Sequence, residues 1–378
     1  MEKVKLVLTG AHFTPAQAVI KELQKDKDIE IVYIGRKTTR EGDPSLSVES
    51  EIVPKLGVKF IPLVTGRVQR IFTIYTIPSL FKIPVGIIQA FWILLQEKPE
   101  AVLSFGGYVA VPVVISAWLL NIPIIVHEQT LVSGLANRIS SFFADKIAVT
   151  FATKYAFNPK KIILTGNPIR SEIIEPTQPP SSLIRSFFEL AKKDKKAVVL
   201  VTGGSQGAHT INQAVFDSLA GLTENFYIIH QTGDSKFKDF EKSGDIKQDL
   251  KNPDRYLSLK QIDVNDLSYI FRQIAICVSR AGANTLLELS YFGIPTLLIP
   301  LPFVTGDEQT VNANFFAKLG LAKILKQEDL SGKSLVLFLN QMSKQLGDLR
   351  RVAANAKKSV LLNGDKRLAL EILKLTSY

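Results

Sequence analysis

Residues 199–208 read VLVTGGSQGA, an apolar run that passes into a segment with three glycines and a serine. The apolar run predicts a buried β-strand, the glycines a tight turn, and the next residues a helix that starts near Ala208. Backbone N–H groups in such a turn and the dipole of the following helix favour an anion, and Ser205 is placed to donate a hydrogen bond to a phosphate. A purely structural turn is the alternative. The stretch has neither the GxGxxG spacing of a dinucleotide site nor the lysine of a P-loop.

The same order of strand, glycine turn and helix occurs in both halves of the 378-residue chain. It begins at Lys5–Leu8 and again at Ala197–Val201, after the proline-rich stretch EPTQPPSS at residues 175–182. The chain is longer than one core usually supports, and alternating strands and helices are typical of parallel sheets. We therefore predict an α/β protein with two Rossmann-like, doubly wound lobes that face each other across a cleft. The predicted division is a first lobe at 1–166, a linker at 167–195 and a second lobe at 196–378, whose last helix can pack back on the first lobe.

The composition limits the class of protein. Apolar residues make up 46% and charged residues 21% of the chain, which is a globular balance. Cys277 is the single cysteine, so no internal disulfide can form and a reducing compartment is expected. The chain opens directly with a strand-like run, which predicts that it has no signal peptide. The net charge of +11 suits nucleic acid, an anionic membrane or a phosphorylated small molecule. No RNP, zinc-finger or helix-turn-helix motif supports a nucleic-acid partner.

Two apolar stretches raise the question of a membrane. Ala101–Val126 is an uncharged run of 26 residues. Glycines and prolines interrupt it, so it is predicted as a strand, a helix at Val109–Leu120 and a second strand. In the other stretch, Arg67–Phe81 combines apolar and basic residues, which predicts a surface that rests on an anionic membrane. For the adjoining Gly86–Leu95, a core helix is an equally good interpretation.

Four polar side chains near strand ends or helix starts are candidates for chemistry. His12 lies at the start of a predicted helix, where it can act as a general base or simply cap the helix. Arg170 can clamp a diphosphate, because a guanidinium matches phosphate oxygens. Glu288 can accept hydrogen bonds from a ribose, with a position on a helix surface as the alternative, and Gln309 can bind sugar hydroxyls. No CxxC or HExxH pattern is present, so neither a metal site nor a cofactor is expected.

Eight short motifs occur along nearly the whole chain. They are TGAH-x-x-P (Thr9–Pro15), FGGY-x-x-x-P (Phe105–Pro112), HEQ (His127–Gln129), GNP-x-R (Gly166–Arg170), GGSQGA (Gly203–Ala208), HQTG (His230–Gly233), SRAGANTLLE (Ser279–Glu288) and DEQT-x-NA (Asp307–Ala313). In this order they resemble the MurG family of peptidoglycan glycosyltransferases. Each motif alone is weak, but eight in the family's order are a specific signal.

The resemblance implies the GT-B fold and an inverting transfer that needs no metal and no cofactor. It implies UDP-N-acetylglucosamine as donor and, as acceptor, undecaprenyl-diphosphate-N-acetylmuramoyl-pentapeptide, known as lipid I. It also implies a peripheral protein at the cytoplasmic face of the cell membrane, in contact with anionic lipid. His12 matches the proposed catalytic base. The positions that match substrate contacts are Thr9, Gly10, Ala11, Thr130, Arg170, Ser205, Val264, Ala283, Asn284, Thr285, Leu286, Leu287, Glu288 and Gln309.

The chain departs from the family pattern at two places. Leu8 and Ala11 stand where the first loop of the family carries glycines, and Thr130 stands where the family has an asparagine that contacts the donor. These changes leave two alternatives open. The chain can glycosylate another lipid acceptor such as diacylglycerol, or bind nucleotide sugars without catalysis. The presence of His12 and Glu288 argues against binding without catalysis. A UDP-sugar epimerase shares the fold, but it would be expected to carry more carboxylates in the cleft.

Overall fold

The structure is a computed structural model that describes residues 3–38, 46–66, 76–204, 207–234, 236–302, 307–357, 361 and 363–377. Three residues of interest, Arg67, Arg70 and Ser205, lie outside the described residues. The chain divides into two compact units. Unit 1 comprises Met1–Arg170 and Leu361–Tyr378, and unit 2 comprises Ser171–Val360.

The described part of unit 1 is built on a parallel sheet of seven strands in the order β3-β2-β1-β4-β5-β6-β7. Its strands are β1 (Val4–Thr9), β2 (Ile29–Gly35), β3 (Lys59–Pro62), β4 (Ala101–Ser104), β5 (Ile124–Glu128), β6 (Lys146–Val149) and β7 (Ile162–Leu164). Its helices are α1 (Phe13–Leu23), α2 (Val48–Lys55), α3 (Thr76–Glu97), α4 (Ala110–Leu119), α5 (Leu135–Phe143) and α16 (Gly364–Leu373).

Both faces of this sheet are covered by helices, which explains the continuous apolar runs in its strands. On one face, Leu6 and Leu8 of β1 pack with Ile20 of α1 and Ile372 of α16. On the other face, Val7 belongs to a separate cluster that contains residues of α3 and α4. The strand order reverses between β1 and β4, and such a switch point opens a crevice at the carboxyl ends of the two strands.

The described part of unit 2 repeats this architecture with a parallel sheet of six strands in the order β10-β9-β8-β11-β12-β13. Its strands are β8 (Ala197–Thr202), β9 (Phe226–Gln231), β10 (Tyr256–Leu259), β11 (Ile276–Ser279), β12 (Thr296–Leu298) and β13 (Ala322–Ile324). Its helices are α6 (Ser171–Ile174), α7 (Ser182–Lys193), α8 (His209–Phe216), α9 (Leu219–Asn225), α10 (Asp239–Gln248), α11 (Val264–Gln273), α12 (Ala283–Phe292), α13 (Glu308–Lys318), α14 (Gly332–Lys344) and α15 (Leu346–Ala356). The switch point of this sheet lies between β8 and β11.

The structure draws the boundary between the units differently from the predicted 1–166, 167–195 and 196–378. Residues 171–195 contain α6 and α7, and both helices belong to unit 2. The proline-rich loop between them is fixed to α11, because Asn265 Oδ1 accepts a hydrogen bond from Thr177 N at 3.0 Å and Asp266 Oδ1 accepts one from Ser181 N at 2.6 Å. Residues 361–378 belong to unit 1, where α16 packs on α1.

The uncharged run Ala101–Val126 forms β4, α4 and the start of β5, as predicted. Each of its two strands is buried, and α4 buries most of its length against the sheet. Among the described helices, none combines the length and the apolar character that crossing a membrane requires.

Candidate functional site

The glycine turn after β8 has a backbone that only glycine allows. A Cβ on Gly203 would lie 2.3 Å from Ala208 N, and one on Gly207 would lie 1.9 Å from Thr232 O. Gly207 also has a φ of +72°, a conformation that costs other residues energy. Thr202 Oγ1 accepts a hydrogen bond from Gly204 N at 3.0 Å and thereby fixes the start of the turn. The turn leads directly into α8, so backbone N–H groups and a helix N-terminus occur together.

A second turn follows β11, the neighbour of β8 across the switch point. Ser279 pairs with Thr202 in the sheet, so the two turns begin side by side. Gln309 fixes the second turn, since its Oε1 accepts hydrogen bonds from Ala281 N at 3.3 Å and Leu301 N at 2.9 Å. The Nε2 group of Gln309 has no protein partner within the described ranges and is available to donate to a ligand.

A cavity of about 370 Å³ opens between these two turns. Its lining includes Gly203, Gly207, Arg280, Thr285 and Gln309. This volume lies in the range of small-molecule sites. The cavity lies at the carboxyl ends of β8 and β11, which is where a doubly wound sheet is expected to form its crevice.

Arg280 gives this cavity its charge. The residue is only 9% exposed, and its Nη1 donates to Ile299 O at 3.1 Å. No carboxylate pairs with it in the described part of the chain. Burial lowers the pKa of Arg280 to about 10, so the guanidinium is still charged at neutral pH. A buried cation without a counter-ion favours the entry of an anion.

Sequence reasoning assigned no role to Arg280. A signal was available, because an arginine directly after a buried strand and before small residues falls where such sheets bind ligands.

The structure brings together only some of the predicted contacts of unit 2. Thr285 and Gln309 line the cavity. Glu288 is 5% exposed on α12 and does not belong to that lining. Val264 is the first residue of α11, after the N-cap Asp263, and it also lies outside that lining. The remaining predicted residues of the α12 segment are Ala283, Leu286 and Leu287, which are buried, and Asn284, which is half-buried.

In unit 1, the turn Thr9–His12 after β1 packs against the turn Phe105–Gly107 after β4. Ala11 N donates to Gly106 O at 2.9 Å, and Phe105 N donates to Thr9 O at 2.7 Å. A Cβ on Gly107 would lie 2.6 Å from the Cβ of Ala11. Alanine therefore fits at position 11 because position 107 is glycine. Position 10 has a φ of +140° and is occupied by a glycine.

His12 occupies the N-cap position of α1, but its side chain makes no capping hydrogen bond. The side chain is exposed to water, yet the protein around it limits its solvation. This desolvation lowers the pKa of His12, and the positive charge of Arg36 lowers it further. Arg36 is held by an ion pair with the buried Glu49, with 2.8 Å between Nε and Oε1. The imidazole of His12 is therefore neutral at neutral pH, which is the form that a general base requires.

The loop after β5 is fixed by Glu128. Its carboxylate accepts hydrogen bonds from Thr130 N at 3.0 Å, Thr130 Oγ1 at 2.8 Å, Gly134 N at 3.2 Å and Asn137 Nδ2 at 3.0 Å. Burial nevertheless raises the pKa of Glu128. Thr130 is 8% exposed, and its hydroxyl is used within the loop. Its predicted contact with a donor sugar stays a prediction.

Buried polar atoms without partners mark the same end of the sheet in unit 1. Thr9 Oγ1 and His127 Nε2 have no hydrogen-bond partner in the described part of the protein. Burial lowers the pKa of His127 to about 4, so this ring is neutral. Arg170, the last residue of the first segment of unit 1, is half-buried and follows Gly166, whose φ is +78°. Buried polar atoms without a partner, as Thr9 Oγ1 and His127 Nε2 are within the described residues, are rare in proteins and are often paired by water or a ligand.

Family models match both units of this chain. The glycosyltransferase family 28 N-terminal domain matches residues 9–149, and the glycosyltransferase family 28 C-terminal domain matches residues 198–368. A Clostridium tetani protein is 34% identical over 368 residues, covering 96% of this chain and 95% of that protein. A Bacillus cereus protein is 33% identical over 346 residues, covering 90% of this chain and 92% of that protein. Both are called UDP-N-acetylglucosamine–N-acetylmuramyl-(pentapeptide) pyrophosphoryl-undecaprenol N-acetylglucosamine transferase, and the B. cereus protein carries the number 2.

Solved structures agree with these matches. The crystal structure of Acinetobacter baumannii MurG is 26% identical with a TM-score of 0.73, covering 98% of this chain and 99% of that one. A UDP-GlcNAc 2-epimerase from Neisseria meningitidis has a TM-score of 0.64 at 18% identity, covers 98% of this chain and 99% of that one, and shows the fold alone.

Two α/β units with parallel sheets match the layout of the GT-B class of glycosyltransferases, which confirms the predicted fold. The chain belongs to the MurG family within glycosyltransferase family 28.

Proposed function

We propose that this enzyme transfers N-acetylglucosamine from UDP-N-acetylglucosamine to lipid I and so forms the disaccharide of the peptidoglycan precursor. Relatives at 34% identity over nearly the full length carry the name of this reaction. The single structural observation that supports it most is the cavity of unit 2. There a glycine turn occurs together with Arg280, which has no carboxylate partner among the described residues, and with Gln309 Nε2, which has no partner among them. These groups suit a diphosphate joined to a polar sugar.

The donor has three kinds of partner in this proposal. The N–H groups of the glycine turn and the N-terminus of α8 bind the diphosphate. Arg280 adds a charge-assisted hydrogen bond, which is stronger in a buried site than at the surface. Gln309 Nε2 donates to a hydroxyl or an amide of the sugar. Glu288 as ribose partner, Val264 as uracil contact, Arg170 and Ser205 at the diphosphate, and Thr130 at the sugar complete the proposed donor contacts.

For the chemical step, we assign the base to His12. Its neutral imidazole takes the proton from the acceptor hydroxyl as that oxygen attacks the anomeric carbon. The bond between that carbon and the UDP oxygen breaks on the opposite face, so the configuration is inverted. UDP leaves with its negative charge stabilised by the glycine turn and Arg280, because positioned donors and cations stabilise charge that develops in the transition state. The turn Thr9–Ala11 is assigned to the acceptor side of the reaction.

The same proposal places the enzyme on the cytoplasmic face of the membrane. Helix α3 exposes Phe81, Val85, Ile88, Trp92 and Leu95, with exposed fractions of 75%, 53%, 60%, 60% and 39%. Their spacing of three and four residues puts them on one face of the helix.

Further exposed apolar side chains lie on the helix packed next to α3 and on its neighbour α5. Helix α4 contacts both α3 and α5, and it exposes Trp118 at 51%. Phe142 of α5 is 80% exposed, with the exposed cation Arg138 one helical turn before it. Large exposed apolar patches mark interaction surfaces, and adjacent cations suit an anionic leaflet.

The reaction is tested with purified full-length protein, radiolabelled UDP-N-acetylglucosamine and a short-chain lipid I analogue. The expected product is the labelled disaccharide on the lipid, with no product when UDP-glucose replaces the donor. A parallel reaction offers diacylglycerol as acceptor. Transfer to diacylglycerol without transfer to the lipid I analogue would refute the proposed acceptor, and release of free N-acetylmannosamine would indicate an epimerase instead.

A further inference from the structure

His209 is held in one orientation at the edge of the cavity in unit 2. It is the first residue of α8, directly after the glycine turn. Its Nδ1 lies 2.9 Å from Asp239 Oδ1 and 3.0 Å from Asp239 Oδ2. The ring stacks on Phe237, with 3.9 Å between centroids and 11° between the planes. A side chain fixed on one edge and one face cannot turn freely, so its other nitrogen points in a defined direction.

Asp239 is itself fixed by a buried network. It is 1% exposed, and its Oδ2 accepts a hydrogen bond from Asn212 Nδ2 at 2.8 Å. Asn212 Oδ1 in turn lies 3.0 Å from Nε2 of His230, which is fully buried. Burial lowers the pKa of His230 to about 3, so that ring is neutral and adds no charge. His209 is therefore the basic side chain that contacts the carboxylate of Asp239 within the described residues.

The carboxylate decides which nitrogen of His209 is free. A carboxylate only accepts hydrogen bonds, so the nitrogen that contacts it, Nδ1, is the one that donates. Nε2 has no hydrogen-bond partner in the described part of the chain, and His209 lines the same cavity as Gly207 and Arg280. A phosphate oxygen also only accepts hydrogen bonds, so a contact between it and Nε2 requires a proton on Nε2 as well.

The other charged groups around His209 come from several elements. Asp239 on α10 is the negative group in contact with the ring, and Arg280 on the opposite turn is a positive group that lines the same cavity. Lys236, in the loop before α10, lies with Nζ 5.4 Å from the centre of the Phe237 ring. Asp217 lies at the other end of α8, about 12 Å along the helix. A diphosphate in the cavity would add negative charge beside Nε2, and negative charge that arrives there attracts a proton.

We propose that His209, positioned by Asp239, binds the diphosphate of the nucleotide sugar as an imidazolium, and that the enzyme takes up a proton when the donor binds. The inference rests on the proposed function only in that the donor is a nucleoside diphosphate sugar. Asp239 is a positioning residue in this proposal, since it acts through His209 alone.

The test is isothermal titration calorimetry of the full-length protein with UDP-N-acetylglucosamine at pH 6 and pH 8. The diphosphate of this donor has no group that titrates in that range, so changes in affinity report on the protein. The wild type is expected to bind about tenfold more tightly at pH 6, the size of a charge-assisted hydrogen bond. At pH 7, binding heats in two buffers of different ionisation enthalpy should differ by the heat of proton uptake.

Three variants separate this role from a structural one. His209→Gln keeps a polar side chain and should lose about tenfold in affinity at pH 6 together with the pH dependence. Asp239→Asn should lose the proton uptake at pH 7 while uridine binding, which involves no phosphate, stays at the wild-type value. Lys236→Ala removes a nearby exposed cation and serves as the matched control, with wild-type affinity and proton uptake expected.

The outcomes of this test are distinct. A His209→Gln protein with wild-type affinity at pH 6, or a wild type that takes up no proton, overturns the role of His209. An equal loss in Lys236→Ala would assign the effect to general positive potential and also overturns it. Failure of the wild type to bind any UDP-sugar would refute the proposed donor instead.

Discussion

Replacing Arg280 by methionine should stabilise the free protein and weaken donor binding at the same time. Burial lowers the pKa of Arg280 from 12.5 to about 10. At about 1.4 kcal/mol per pH unit, keeping the guanidinium charged in the folded protein lowers the free energy of unfolding by about 3 kcal/mol. The cost is present at every pH below 10, because the folded pKa of this base is the lower one. Methionine removes this cost of burying a charge. It also leaves Ile299 O without its hydrogen-bond donor, which lowers the free energy of unfolding by about 2 kcal/mol. The balance is a gain of about 1 kcal/mol in the free energy of unfolding.

The functional loss should be larger than the gain in stability. A charge-assisted hydrogen bond to the diphosphate contributes about 1.5–3 kcal/mol, so affinity for UDP-N-acetylglucosamine should fall about 10-fold to 100-fold. Urea unfolding followed by circular dichroism measures the first effect, and titration calorimetry measures the second. Arg255→Met is the matched control, because Arg255 forms an ion pair with Asp194 at 2.9 Å and does not line the cavity. Two results would contradict the role of Arg280 as a buried cation that binds the diphosphate. One is an Arg280→Met protein that is less stable than the wild type, and the other is an Arg280→Met protein that binds the donor with wild-type affinity.

The remaining predictions concern the base and the membrane. His12→Ala should lower turnover about 10²–10⁴-fold with little change in UDP affinity, and full activity would remove the base assignment. In the wild type, kcat/KM should fall only below pH 6.5, because a lowered pKa keeps His12 neutral until then. The double change Arg36→Met and Glu49→Gln removes the positive charge that lowers the pKa of His12, so the fall in kcat/KM should occur at higher pH. An unchanged pH profile of kcat/KM would show that Arg36 does not act on His12. Phe81→Glu should reduce co-sedimentation with anionic liposomes about tenfold, whereas Leu337→Glu, at an exposed site of unit 2, should not; equal effects of both changes would refute the apolar face as the membrane contact.

The turns of the fold could be predicted from the sequence because local chemistry determines them. Apolar runs followed by glycines gave the ends of β1 and β8 correctly, and the family order of the motifs gave the two-unit architecture. The linker at 167–195 was less well predicted, although a signal existed. Ile184, Phe187, Phe188 and Ala191 follow helical spacing, and all four are buried in α7.

The parts that sequence reasoning did not supply depend on contacts between distant residues. His209 and Asp239 are separated by 30 positions, and only the pairing of β8 with β9 brings their elements together. Arg280 has no carboxylate partner among the described residues, and this too is a property of its surroundings, because it depends on which side chains from other strands and helices lie near. Neither property leaves a pattern in a single stretch of sequence.

The return of residues 361–378 to unit 1 has a consequence for how this chain folds during synthesis. Leu368 and Ile372 of α16 are fully buried against the core that also contains Ile20 of α1. A ribosome therefore synthesises all of unit 2 before it adds the residues that complete unit 1. Until then, the face of α1 that later contacts α16 has no apolar cover, whereas unit 2 is continuous in sequence and can fold as soon as it emerges. A fragment that ends near residue 170 should accordingly aggregate or bind chaperones, and supplying residues 361–378 as a separate peptide should restore its solubility.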